Sequence, residues 1–330
     1  MNELIGFEKE FEIVSKNLID EKLNNSILVC GNKGIGKYFF ITNIIEDYIN
    51  LKINPKQINH HLSLLNNNSH PNIKILRKKI DEKTNKIKNN IVIDQVRELN
   101  NFSRETNIIE NLPKFILIDS ADDLNLSSSN ALLKILEEPK DNTYFFLISH
   151  QPSALLPTIK SRCLKINLSS HNFDNFKKIL ISQNVDPDDD EIFKLLFDIT
   201  NGSPGLSLNF NIDIILDIFD QLINSMIEKE TFSEINNNIT NLFSNFENDK
   251  YKIFLSLIKF ILIVFKKVKI GLDIEESYLS NKILKIENLS KKITIETIHN
   301  KLDYLINNEN DLFTFNLDKK IFMINFFAIK

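Results

Sequence analysis

Apolar positions along this chain follow two different rhythms. As far as about residue 168, short unbroken apolar runs alternate with stretches spaced every three or four residues; beyond it the spacing is helical almost throughout. The runs SILVC (26–30), FILID (115–119) and YFFLIS (144–149) predict buried strands of a parallel sheet, which need apolar side chains on both faces. FFITNIIEDYI, beginning at Phe39, predicts a helix after the first run. Ser127 to Glu138 predicts another, with serines to cap its start, Ala131, Leu132, Ile135 and Leu136 on one face, and Pro139 to end it. Strands alternating with helices predict a three-layer α/β domain with a parallel sheet over residues 1–168. A small helical domain at 169–210 and a larger all-α domain at 211–330 are expected to follow. The segment VDPDDD, ending at Asp190, reads as a helix start, and NGSPG (201–205) as a turn. Residues 66–69 and the basic run from Lys74 to Lys88 read as loops or a hairpin of the first domain.

Composition narrows the function classes. A chain of 330 residues can bury more than one core, so several domains fit its length. The net charge of -4 supplies no global positive field to draw it onto nucleic acid, so any such contact must be local or come from partners. Cys30 and Cys163 are too few and too far apart for a disulfide framework or a CxxC zinc site, which fits a reduced cytoplasmic setting. The stretch Ile253 to Val268 is interrupted by Lys259, Lys266 and Lys267, and so reads as a buried helix rather than a membrane span. The N-terminus carries charges where a secretion signal needs an apolar core, so it reads as mature structure.

The chemistry begins at the end of the first run. Gly31-Asn-Lys-Gly34-Ile-Gly36-Lys37 fits G-x-x-x-x-G-K, follows a predicted strand and opens a predicted helix, the setting in which this pattern is a phosphate-binding P-loop. Three of the seven glycines of the chain stand in this loop. They let backbone N–H groups converge on phosphate oxygens at a helix N-terminus, with Lys37 reaching the terminal phosphates. The next residue is Tyr38, where a hydrolysing P-loop protein uses a short Ser or Thr hydroxyl on magnesium. Asp119, ending an apolar strand, stands where such a protein places its metal-side carboxylate, and is followed by Ser120.

The later motifs carry a family resemblance. Ser161-Arg162-Cys163 matches the SRC motif of the bacterial AAA+ clamp-loader subunits of DNA polymerase III, and NALLKILEEP (130–139) resembles the helix that precedes it there. IDQVREL (93–99) and HPNIKIL (70–76) are similar to segments of the delta prime branch of that family, so the resemblance runs over about 26–208. It implies an AAA+ domain, a helical lid and a helical collar, in a five-subunit ring with tau/gamma and delta subunits that loads a sliding clamp onto primer-template DNA in the bacterial cytoplasm. It also implies that Arg162 is an arginine finger acting on ATP held by a neighbouring subunit, with Ser161 and Cys163 in support.

Set against hydrolysing members of that family, the chain has Ser120 where they carry the Glu that activates water, and Pro204 where they carry a nucleotide-sensing Arg. Four cysteines that often bind zinc there are missing from 51–69, and His60, His61 and His70 fit no zinc spacing, so no metal and no cofactor is expected. Gly31, Gly34, Gly36, Lys37 and Asp119 are thus expected to form a degenerate nucleotide site without turnover, in which retained ATP or ADP binding stays open. Arg97, on a helix expected to be capped by Asp94, is the candidate for DNA contact. The rival reading is an ATP-hydrolysing subunit of the tau/gamma type.

Overall fold

A computed structural model of the chain describes residues 4–80, 88, 90–105, 108–109, 112–185, 190–208, 211–227, 232–272 and 283–329. It divides into two compact units, Met1–Ile179 and Leu180–Lys330.

The first unit is a three-layer α/β fold. In chain order it comprises α1 (Glu8–Ile19), β1 (Ser26–Cys30), α2 (Lys37–Lys52), α3 (Ile58–Asn66), β2 (Ile73–Leu76), α4 (Ile93–Arg104) and β3 (Lys114–Ile118). There follow α5 (Leu126–Glu137), β4 (Thr143–Ser149), α6 (Pro157–Lys160), β5 (Leu164–Asn167) and α7 (Phe173–Ser182), whose last residues fall in the second unit. The strands form one parallel sheet in the order β2-β3-β4-β1-β5. Alternate residues of each central strand point to opposite faces, and both faces are covered. Ile27, Val29, Phe115, Leu117, Phe146 and Ile148 pack with Phe40, Ile41, Ile44 and Ile45 of α2. Leu28, Ile116, Ile118, Phe145 and Leu147 pack with Val96 and Leu99 of α4 and Leu132 and Leu136 of α5 on the other. The three runs read as buried strands are β1, β3 and β4, although β3 starts one residue earlier and leaves Asp119 just past its end.

Three local expectations are corrected. The basic run contributes an edge strand rather than only a loop or hairpin: Ile73–Leu76 adds to β3 because Ile73 and Leu76 bury against the sheet. Lys83 and Lys86, also in that run, lie outside the described residues. No serine caps α5. Asn125 takes that place because its side-chain oxygen reaches the Ser128 N–H at 2.9 Å, while the Ser128 hydroxyl turns inward to the Ile91 carbonyl. Nor does Asp94 cap α4, which begins at Ile93 and puts Arg97 in its second turn; Gln95 folds back to accept from the Val92 N–H at 3.3 Å. Of VDPDDD, residues 186–189 lie outside the described residues and Asp190 begins a helix; NGSPG turns at Asn201 and Gly202, both at positive φ, and its Pro204 and Gly205 open a short helix.

The second unit is helical. Its elements are α8 (Asp190–Thr200), α9 (Pro204–Ser207), α10 (Ile212–Ile227), α11 (Phe232–Phe243), α12 (Asn248–Lys269), α13 (Ile283–Lys291), α14 (Ile295–Thr314) and α15 (Lys319–Ala328). The apolar stretch at 253–268 lies in α12, where Ile253, Phe254, Leu257, Phe260, Ile261, Val264 and Phe265 are buried among α8, α10, α13 and α14. Lys259, one of the cations that interrupt it, pairs with Glu309 of α14 at 2.6 Å. Among the described residues no helix is long and apolar enough to cross a membrane.

Candidate functional site

In a parallel sheet all strand ends of one kind share an edge. The loop after β1 lies at the C-terminal edge, and there the P-loop closes on itself. Gly31 at φ 152° and Gly36 at φ 98° occupy backbone conformations that other residues rarely adopt. At Gly31 a Cβ would also stand 2.3 Å from the Leu168 carbonyl oxygen. The segment after β5 holds this loop from outside: Leu168 donates to the Cys30 carbonyl at 2.8 Å, the Asn32 amide donates to Ser170 Oγ at 3.0 Å, and the His171 ring bonds the Ile35 carbonyl at 2.9 Å. Lys37 is 3% exposed, and its Nζ turns back into the loop to donate to the Gly31 and Asn32 carbonyls, each at 2.6 Å. Burial pushes the Lys37 ammonium down to about 8, against the pull of Asp122 and Asp119.

Beside the loop, where a hydrolysing relative would hold its metal, every carboxylate already has a protein partner. Arg77 Nε donates to Asp119 Oδ2 at 3.0 Å, and the same guanidinium lies 4.5 Å from the centre of the Tyr38 ring. Asp122 accepts from the Ser149 hydroxyl at 2.6 Å and from the backbone N–H groups of His150 and Gln151, so it fastens the end of β4. Asp123 pairs with Lys78 at 3.0 Å. A P-loop magnesium needs a short hydroxyl and a free carboxylate; a phenol and a paired carboxylate do not fit it. Arg77 is the residue that the sequence reading missed. Register could have found it: Leu76 pairs with Ile118, so the residues that follow them, Arg77 and Asp119, leave the sheet side by side.

At the opposite edge stands the SRC segment. Short α6 ends at Lys160, and Arg162 precedes β5, which runs parallel to β1 with Leu164 opposite Ile27 and Asn167 opposite Cys30. Arg162 therefore sits where the strands begin and the P-loop where they end, about 10 Å or more apart along the sheet. Its Nη1 donates to the Thr158 carbonyl at 2.9 Å and its Nη2 to Glu137 Oε1, at the end of α5, at 2.6 Å. The Arg162 side chain remains 34% exposed. Ser161 donates to the Thr158 carbonyl at 3.1 Å, and Cys163 packs against the α4/α5 core. Burial pushes the Cys163 thiol up to about 11, which keeps it protonated and unreactive.

The remaining candidates lie apart from these two places. Arg97 is exposed on α4 and pairs with Asp94 at 2.9 Å. His61 and His70 form a buried pair at 3.0 Å; His70 Nδ1 accepts from the Asn72 N–H, so its Nε2 carries the proton and donates to His61 Nδ1. Burial, helped by His61, pushes His70 down to about 4, so the pair is neutral packing. Among the described residues no group of three or more His, Cys, Asp or Glu is placed to hold a metal ion.

Comparison with known proteins identifies the family. The family model described as DNA polymerase III, delta subunit, matches residues 7–172. The chain is 44% identical over 102 residues to the DNA polymerase III subunit delta' of Pseudomonas aeruginosa, covering 31% of this chain and 29% of that one. It is 27% identical over 203 residues to the Bacillus subtilis subunit delta', covering 61% and 57%. Neither alignment takes in two thirds of the relative's own length. Among solved structures, the gamma subunit-related protein of Thermotoga maritima aligns over 97% of this chain and 98% of its own, at 17% identity and a TM-score of 0.40. With a family match that spans half of the chain and takes in the P-loop, Asp119 and the SRC segment, the protein belongs to the DNA polymerase III delta-subunit family, in which its named relatives are delta prime subunits.

Proposed function

We propose that the chain is a non-hydrolysing clamp-loader subunit that lends Arg162 to ATP held by a neighbouring subunit. The observation that supports this reading is position: Arg162 and the chain's own phosphate loop lie at opposite edges of one sheet, so its partly exposed guanidinium is set away from the chain's own loop and open to a phosphate held by a neighbour. On docking, a γ-phosphoryl group would compete with Glu137 for the Arg162 fork. The fork then neutralises charge that spreads over the transferring oxygens. Ser161 and Cys163 are positioning residues, one tying the segment to α6 and the other to the core.

In this reading the partners are tau/gamma- and delta-type subunits in a five-membered ring, which opens a sliding clamp and releases it on primed DNA in the bacterial cytoplasm. Residues 169–210 would be the lid and 211–330 the collar that joins the ring. The P-loop keeps backbone donors for a nucleotide phosphate but supplies no turnover, and no metal or other cofactor is required. The hydrolysing reading is disfavoured because Tyr38 stands in place of the short hydroxyl and Asp119 is committed to Arg77. Reconstitution with the gamma- and delta-type subunits tests the proposal. Arg162→Ala should lower hydrolysis at the site facing it by about 10³-fold or more, the usual range for an arginine finger. Unchanged DNA-stimulated turnover and clamp loading would defeat it.

A further inference from the structure

We propose that Arg77 occupies the place of the divalent cation beside this P-loop, as an internal counter-ion that keeps metal away from Asp119. The proposal rests on the reading of Gly31–Lys37 as a degenerate phosphate site, and it makes the degeneracy an active exclusion.

Three observations converge on Arg77. Its Nε is 3.0 Å from Asp119 Oδ2, the carboxylate that would ligate metal. Its guanidinium stacks over Tyr38, the residue standing where the metal-binding hydroxyl would be. And Asp122 and Asp123, the remaining carboxylates of this edge, are held by the end of β4 and by Lys78, so neither can replace Asp119 as a ligand. A guanidinium and a bound divalent cation are alternatives here. Both are cations that neutralise the same carboxylate, and the Tyr38 ring, an apolar wall to a hydrated metal ion, is a favourable face for a planar, weakly hydrated guanidinium. Tyr38 and Arg77 are therefore one device. The phenol removes the ligand, and its ring seats the cation that fills the gap.

The arrangement also says which ligand the edge can take. With Arg77 neutralising Asp119, a phosphate-bearing ligand would meet the loop's backbone N–H groups and Lys37 as the free anion, without the magnesium that ordinarily accompanies a nucleoside triphosphate.

Manganese, whose free form is counted directly by electron paramagnetic resonance, tests this on the full chain. Wild type should take up no Mn²⁺ that depends on Asp119. The double variant Arg77→Ala with Tyr38→Ser should gain a site, binding about tenfold tighter or more, and Asp119→Asn added to it should abolish the gain. Circular dichroism establishes that each variant is folded. If the double variant does not fold, the wild type alone decides: saturable Mn²⁺ uptake lost on Asp119→Asn overturns the proposal, and its absence, with normal uptake by a magnesium-dependent P-loop protein run alongside, upholds it. A folded double variant that gains nothing, or whose gain survives Asp119→Asn, also overturns it. Mn²⁺ bound through Asp119 with no ATP turnover would overturn the role of Arg77 and leave the non-hydrolysing reading standing, whereas turnover by the wild-type chain alone would remove that reading itself.

Discussion

The two edges of the parallel sheet treat their charged groups in opposite ways. At the C-terminal edge four of them are satisfied from within: Lys37 by loop carbonyls, Asp119 by Arg77, Asp122 by β4, Asp123 by Lys78. At the N-terminal edge Arg162 is held by one exposed carboxylate and one carbonyl, with room left on its fork of donors. A catalytic group must leave some of its bonding capacity for its substrate, and a site that has exhausted that capacity on itself is architecture. On the function proposed above, the retained nucleotide motif is the supporting element, and the arginine far from it is the reactive one.

The contrast can be attacked from each side. The largest effect on the fold should come from Gly31→Ala. Its Cβ would meet the Leu168 carbonyl at a φ unfavourable to any side chain, so the first unit should lose about 3 kcal/mol and its Tm should fall accordingly. Ser161→Ala, at the other edge, should change stability by no more than about 0.5 kcal/mol. Equal effects would mean that the two edges are equally constrained.

Acidity should expose the same asymmetry. Burial holds His70 and His150, the latter directly after β4, down to about 4. Both stay neutral in the fold while the unfolded chain takes up protons near 6.5. Their contribution is complete above pH 6.5 and drains between there and about pH 4, by up to ~1.4 kcal/mol per pH unit for each imidazole. Denaturant melts from pH 7 to pH 5 should show this loss, and His70→Gln should flatten it; a Tm independent of pH would contradict the buried-pair geometry.

Smallest is the effect of Arg97→Ala. An exposed pair with Asp94 is worth under about 1 kcal/mol, so stability should hardly move. If Arg97 contacts phosphate, affinity of the assembled complex for primed DNA should drop and its salt slope should become shallower by about 1. An unchanged slope would remove it from the DNA-facing set.

What could be read from the residues alone follows from range. Strand and helix periodicity is local, so SILVC and FFITNIIEDYI announced β1 and α2 with their order and burial. The P-loop was legible because its chemistry lies in seven consecutive residues. The caps were not, since Asn125, Ser127 and Ser128 are all residue types that cap helices and only backbone geometry decides which of them stands at the helix start. Arg77 was hidden in a basic run, because its meaning lies in a partner 42 positions away (77 to 119) that strand pairing brings beside it. Glu137, the partner of Arg162, was hidden in the same way within NALLKILEEP.

The most direct test sets the edges against each other in one assay. With the gamma- and delta-type subunits reconstituted around it, ATP turnover on primed DNA is measured for the wild-type chain, Arg162→Ala and Lys37→Ala, below the melting temperature of each. The account predicts that Arg162→Ala abolishes hydrolysis at the neighbouring site and that Lys37→Ala, in a folded complex, leaves it at the wild-type rate. Loss on Lys37→Ala with full activity in Arg162→Ala would contradict it.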